Sequence, residues 1–317
     1  MSAVLPPIVL GTMTFGDTVD ARAAAEMLDA ALELGVTAID TANGYAGGAS
    51  ETLLGELLRD RRDQVVLATK AGIPHPDADG AAPLSRDGVR RCLEASLRRL
   101  RTPNVDLFYL HQPDRSTPLD ETVGVIGELL AEGKISAWGV SNYAAWQIVE
   151  LRRIADSAGV ARPVVAQQLY NLLARRIEEE YVESALANDL ATVVYNPLGG
   201  GLLTGRHTFG ERPEHGRFGD SRVAAMYTDR YWNADLFKAV EELGELAATE
   251  GITLAELSMR WVAGRPGVDS VLIGGSRTEH LRNNIAALRA GPLPDAVLDA
   301  CDAVGTRLRG PMPAYNR

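Results

Sequence analysis

The chain has 317 residues, 46% of them hydrophobic and 23% charged, a makeup that buries a core without a metal or disulfide staple. A formal net charge of −10 argues against nucleic acid or an anionic membrane as the main partner, and no apolar run approaches the ~20 residues that span a bilayer. The first residues lack the basic and apolar regions of a secretory signal, and Cys92 and Cys301 lie far apart without metal-ligand spacing, so we expect reduced thiols, no metal and a cytoplasmic protein.

Strand and helix patterns alternate along the chain. Apolar runs at residues 8–13, 36–39, 65–69 and 105–110 read as buried strands, followed by 135–140, 164–167, 192–195 and 270–273. Between the first two, residues 20–34 carry Ala24, Met27, Leu28, Ala31 and Leu32 on one stripe and stop at Gly35. Ser85 with Asp87 opens a helix that reaches Leu100, and Leu119, Asp120 and Glu121 begin another that stops at Glu132-Gly133-Lys134. Such alternation implies right-handed βαβ units and a parallel sheet; eight units predict an α/β fold closed as a (β/α)8 TIM barrel. The competing doubly wound sheet is expected to carry a G-x-G-x-x-G turn after its first strand, whereas Gly11-Thr12-Met13-Thr14-Phe15-Gly16 stands here. No linker interrupts the pattern, so residues 1–317 read as a single domain. Residues 205–233, rich in Gly, Arg and aromatics and without clear periodicity, read as a long loop over the barrel mouth, and residues 306–317 as a C-terminal tail at the substrate site.

The strand ends carry the chemistry. In a barrel they share one face, and they read in order Met13, Asp40 with Tyr45, Lys70, His111, Ser141 with Asn142, Gln167, Tyr195 and the turn Gly274-Gly275-Ser276-Arg277. An ammonium at the end of a buried strand needs a partner, and Asp40 is the expected one. A tyrosine beside an ammonium gives up its proton more readily, so Tyr45 near Lys70 reads as a general acid or base. His111 is then expected to aim an N–H at the same oxygen. Each residue alone also fits a plainer account. A strand-end Asp can cap a helix, a lone His can be structural, and a strand-end Lys can be a Schiff-base nucleophile.

Taken together the motifs resemble the aldo-keto reductase family along the whole chain. They are Leu10-Gly11-Thr12-Met13, Ile39-Asp40-Thr41-Ala42, Gly44-Tyr45, Ala68-Thr69-Lys70 and Asp106-Leu107-Phe108-Tyr109-Leu110-His111. Gly139-Val140-Ser141-Asn142-Tyr143, Gln167-Gln168-Leu169-Tyr170-Asn171-Leu172 and Tyr195-Asn196-Pro197-Leu198 continue them. A narrower resemblance is to the aflatoxin-aldehyde and succinic-semialdehyde reductases, carried by residues 196–206, Gly216-Arg217-Phe218-Gly219, Tyr227, Arg230-Tyr231-Trp232 and residues 313–317.

The resemblance implies that Asp40, Tyr45, Lys70 and His111 form a catalytic tetrad, with Tyr45 protonating a carbonyl that takes hydride from a nicotinamide. It implies Ser141, Asn142 and Gln167 as holders of the carboxamide, Tyr195 as the stacking aromatic, the turn with Gly205 and Arg206 over the pyrophosphate, and Leu198 and Gly201 as further cofactor-binding residues. Gly274, Ser276, Arg277, His280 and Asn284 would receive the adenine end. An arginine fork suits a 2′-phosphate, which favours NADP(H) as the cofactor. Met13, Arg217, Arg230, Trp232 and Arg317 are implied at the substrate, Arg230 and Arg317 on a carboxylate. The implied activity is reduction of aldehydes, carboxylate-bearing or dicarbonyl, by a homodimer that binds a small carbonyl compound. Two other classes stay open: an NADPH-binding regulatory subunit with weak catalysis, and a Lys70 Schiff-base lyase.

Overall fold

The computed structural model describes residues 5–311. Eight parallel strands pair in chain order and close as a barrel, β1 (Ile8–Gly11), β2 (Ala38–Asp40), β3 (Val66–Ala71), β4 (Val105–Leu110), β5 (Ile135–Ser141), β6 (Val165–Leu169), β7 (Ala191–Tyr195) and β8 (Ser270–Ile273). Closure is set by β1 pairing with β8 in the register Ile8↔Val271, Val9↔Leu272 and Leu10↔Ile273. Helices α1 (Ala21–Glu33), α2 (Ala49–Leu57), α3 (Arg86–Leu100), α4 (Leu119–Ala131), α5 (Ala145–Ala158) and α6 (Tyr181–Ala187) each follow a strand. Between β7 and β8 come α7 (Ala224–Tyr231), α8 (Ala234–Thr249) and α9 (Leu254–Ala263), and after β8 come α10 (Thr278–Arg289) and α11 (Asp295–Arg309). The architecture is the expected (β/α)8 barrel.

Local chemistry explains the boundaries. Asp20 accepts from the Ala23 amide to start α1, Ser85 accepts from Gly88 to start α3, and Asn233 and Thr253 cap α8 and α9 in the same way. Gly35 follows α1 with φ +71°, the left-handed turn that a glycine enters freely.

The chain contacts form two compact units. One comprises Met1–Gln168, Ile177–Tyr195 and Gly267–Arg282, and so holds nearly all of the barrel; the other comprises Leu169–Arg176, Asn196–Pro266 and Asn283–Arg317. Within the first, Val9, Ala38, Ala68, Leu107, Tyr109, Val165 and Val193 form one buried cluster with Leu5. Side chains alternate along a strand, so Asp40, Lys70, Gln167 and Tyr195 lie two positions beyond cluster members on the same inward face. The core and the reactive rim are one row of side chains.

Two expectations change. Residues 205–233 are not wholly irregular, because α7 occupies eight of them; its inward stripe is only Tyr227 and Tyr231, too short a periodicity to stand out. The tail expected from residue 306 is helical as far as Arg309, where α11 ends.

Candidate active site

Asp40 ends β2, and the next residues, through Tyr45, form the loop toward α2. Lys70 lies on β3 with no exposed side chain, and its Nζ donates to Asp40 Oδ1, to the Thr41 carbonyl at 2.8 Å and to Tyr45 Oη at 3.1 Å. The ammonium sits 4.7 Å from the centre of the Tyr45 ring. His111, just past β4, faces that ring edge-on with the centroids 5.9 Å apart. The four residues expected to act together are therefore gathered from three neighbouring strands, Asp40 and Tyr45 both from the end of β2 and the loop after it.

Electrostatics sort their roles. Burial disfavours the Lys70 charge, but Asp40 and then Tyr45 outweigh it and the ammonium is held above its ordinary range. Burial lifts the Asp40 carboxyl against the pull of Lys70 and Gln167. We assign the pair its charged form, because three oxygens accept from Nζ and both carboxylate oxygens accept hydrogen bonds. Burial and then Lys70 push His111 down to about 3, so its imidazole is neutral at physiological pH.

Ser141 and Tyr195 end β5 and β7, Asn142 follows Ser141, and Gln167 lies inside β6, two residues before its end. Asn142 turns off β5 in a left-handed conformation, φ +64°, which asparagine tolerates. Its Nδ2 donates to Ser141 Oγ and to the His111 carbonyl, both at 3.0 Å, while Tyr195 Oη donates to its Oδ1 at 2.6 Å. Gln167 Nε2 donates to Asp40 Oδ2 at 2.9 Å, so this residue touches the first group as well as the second. Two amides and a hydroxyl at adjacent strand ends are the donor and acceptor set a carboxamide requires, and Tyr195 adds a half-buried flat ring. Met13 is half-buried just past β1, and Gly274 and Gly275 are half-buried just past β8. Ser276 and Arg277 are exposed, and Ser276 Oγ lies 3.4 Å from His280 Nδ1.

The remaining expected residues belong to the second unit. Gly199, Gly200 and Gly201 turn the chain with φ of +57°, +72° and +107°, a run closed to larger residues, and Leu198 precedes it. Gly205 also has positive φ, +71°, and exposed Arg206 donates to His207 Nε2 at 3.2 Å. Arg217 donates to Tyr227 Oη at 2.5 Å and lies over its ring at 5.0 Å; Arg230 lies over the same ring at 5.9 Å. Trp232 Nε1 donates to the Phe209 carbonyl at 3.0 Å, and Asn284 is buried. A shallow cavity of about 580 Å³ in this unit is lined by Phe218, Trp232, Arg212 and Asp229 among others. Arg317, expected at a carboxylate, lies outside the described residues.

Sequence reasoning missed two supports. Ser50 Oγ donates to the Thr12 carbonyl at 2.9 Å and bonds the Thr12 and Thr41 hydroxyls at 2.9 and 3.0 Å, tying β1 to the loop after Asp40. Glu51, fully buried, accepts from Thr69 and Arg99. The one signal available was an acidic residue on a helix face whose neighbours, Ser50 and Leu54, also point inward. Among the described residues there is no cluster of metal-ligating side chains and no helix long and apolar enough to cross a membrane.

The comparisons agree with this geometry. The model of the aldo/keto reductase family matches residues 7–306. Aflatoxin B1 aldehyde reductase member 2 of Homo sapiens is 39% identical, the alignment covering 100% of this chain and 92% of that one. Its Rattus norvegicus counterpart is 38% identical over 98% and 88%. A probable voltage-gated potassium channel subunit beta of Arabidopsis thaliana is 33% identical over 92% and 90%. A buried lysine bonded to an aspartate and a tyrosine beside a neutral histidine, on a barrel matched from end to end, leaves one conclusion: the chain belongs to the aldo/keto reductase family, oxidoreductases that act on carbonyl groups.

Proposed function

We propose that the protein reduces aldehydes to alcohols with NADPH, RCHO + NADPH + H⁺ giving RCH₂OH + NADP⁺, and that its substrates carry a carboxylate or a second carbonyl. The observation that carries the proposal is the Lys70 ammonium bonded at once to Asp40 and to the phenol oxygen of Tyr45. Bound NADPH would supply a hydride from C4 of its nicotinamide. Tyr45 gives the proton to the carbonyl oxygen as negative charge develops there. Lys70 stabilises the phenolate left behind, and Asp40, fixed by Gln167, keeps the ammonium in place. Neutral His111 offers an N–H to the same oxygen without adding a charge that would repel Lys70. A lysine with three acceptors and a raised pKa makes a poor Schiff-base nucleophile, which ranks the lyase reading last.

Ser141, Asn142 and Gln167 fit the carboxamide, and Tyr195 fits the ring face. Leu198, Gly201, Gly205 and Arg206, and Gly274, His280 and Asn284, are proposed for the rest of the cofactor on resemblance, with Ser276 and Arg277 selecting the 2′-phosphate. Met13, Arg217, Arg230, Trp232 and Arg317 are proposed for the substrate. The names of the human and rat relatives support an aldehyde substrate. A homodimer in the cytoplasm completes the reading, in agreement with the buried free thiols Cys92 and Cys301. A single domain spanning the chain is part of it too.

The test follows NADPH oxidation with succinic semialdehyde and 4-nitrobenzaldehyde in parallel, with NADH as control. Turnover with NADPH and preference for the acid aldehyde is the expected result. Turnover of the neutral aldehyde alone would discard the carboxylate role of Arg230 and Arg317. Tight NADPH binding without turnover would favour a regulatory subunit, a reading supported by the likeness to the plant channel subunit.

A further inference from the structure

Thr69 stands one position before Lys70 on β3, and strand alternation turns it away from the barrel interior, toward the helices. There its Oγ1 donates to Glu51 Oε1 at 2.5 Å, and the other Glu51 oxygen accepts from Arg99 Nε at 2.8 Å. Arg99 spends the rest of its fork on Asp77, at 2.6 and 3.2 Å, and Asp77 lies 3.1 Å from His75 Nδ1. Glu51 has no exposed side chain and Arg99 keeps 20%. A buried carboxylate is costly, and here it is matched by a hydroxyl and one edge of a guanidinium, leaving no slack in either group.

The same guanidinium presses on the loop that carries Tyr45. Ala46, Gly47 and Gly48 follow Tyr45 with φ of +49°, +64° and +93°, three successive left-handed residues in which only Ala46 bears a side chain. A Cβ at Gly48 would lie 2.9 Å from Arg99 Nε, so the loop backbone packs directly on the arginine. Such a conformation is held only by its surroundings. Asp77 and His75 do not touch the reacting side chains by any bond described, and neither does Glu51.

We propose that Glu51 and Arg99 are positioning residues, a buried clamp that fixes the Tyr45 loop against the strand bearing Lys70 and so sets the contact between phenol oxygen and ammonium. The proposal rests on the reductase reading for its kinetic consequence and on the structure for its mechanical one. The clamp acts on geometry: Lys70 and Tyr45 keep their own partners and lose only their registration when it is broken.

The experiment compares the wild-type chain with Arg99→Met, Arg99→Lys and Thr69→Val. Arg91→Met, on the same helix but in an exposed pair with Asp79, is the control. Three quantities are read: kcat with 4-nitrobenzaldehyde, the affinity for NADPH by fluorescence, and amide exchange by mass spectrometry over residues 41–49. Arg99→Met is expected to lose about a hundredfold in kcat, the scale of a misplacement near 1 Å, with NADPH affinity within about twofold. Exchange over residues 41–49 should quicken while residues 139–145 are unchanged, and Arg99→Lys should recover most of the lost rate. Thr69→Val, which removes one bond and no volume, should cost several-fold and decides the matter if Arg99→Met does not fold. Wild-type kcat and wild-type exchange in the folded variants would overturn the clamp. A wild type without turnover would instead sink the reductase reading, and the exchange arm alone would then decide the clamp.

Discussion

The rim of the barrel and the stretch from 205 to 233 solve opposite problems. At the rim, polar groups are bonded to one another: Lys70 and Asp40 are fully enclosed, and exposed Asn142 joins Ser141, His111 and Tyr195. In the 205–233 stretch the arginines are half-buried or exposed, and two of them rest on one tyrosine ring. The first arrangement fixes distances, which proton transfer needs; the second leaves charge available at a surface that can be altered without disturbing the barrel. On the function proposed above, reaction type and substrate choice would be written in different parts of the chain.

Tyr45→Phe would break the rim most completely. It is expected to lower kcat by roughly 10²–10⁴-fold while NADPH still binds; a variant that keeps most of its kcat would refute the proton donor. Asp40→Asn leaves a buried ammonium short of its countercharge and should cost about 3–5 kcal/mol in urea unfolding, where a loss under 1 kcal/mol would show that the pair is not charged. The outer stretch is sharpened by Arg230→Ala and Arg317→Ala. Each should raise KM for succinic semialdehyde about tenfold or more, the worth of a charge-assisted bond, and hardly alter it for 4-nitrobenzaldehyde. Equal changes with both aldehydes would remove the carboxylate from the account.

The smallest effect concerns pH. His111 stays neutral in the folded protein down to about 3 but protonates near its ordinary 6.5 when unfolded, so the unfolded state binds the extra proton between those values. Its contribution to stability is therefore complete above about pH 6.5 and declines as pH falls toward 3. The buried Asp40 carboxyl, raised by burial, shifts stability the other way at acid pH, so the difference between wild type and His111→Gln isolates the histidine. A difference that stays constant from pH 7 to pH 4 would contradict a neutral His111. In kinetics, no limb near pH 6.5 should come from this residue.

Most of the barrel was legible because each strand is a short apolar run and each rim residue is a polar interruption at its end. Val105–Leu110 and Ser270–Ile273 fall where the pattern puts them, and the others shift by a residue or two: strand pairing runs on past the apolar run at Lys70 and Ala71, and stops short of it at Gly11, two residues before Met13. The pairing of Asp40 with Lys70 followed from the cost of burying an amine. What escaped depends on long-range geometry. Glu51 looks like any acidic residue in a first helical turn until Thr69 and Arg99 are seen to meet it. Tyr227 and Tyr231 make a helix of α7 with too few turns for a period to emerge, and the resting place of Arg217 on Tyr227 has no counterpart in local spacing.

Closure of the barrel has a consequence for synthesis. Ser270 Oγ donates to the Pro6 carbonyl, 264 residues back along the chain, and β8 pairs with β1 beside it. A ribosome that has delivered every rim residue through Tyr195 has still to make the strand that seals the ring. Throughout that interval β1 has an unpaired edge, and the nascent chain depends on whatever keeps open strands apart until the last parallel pairing is made.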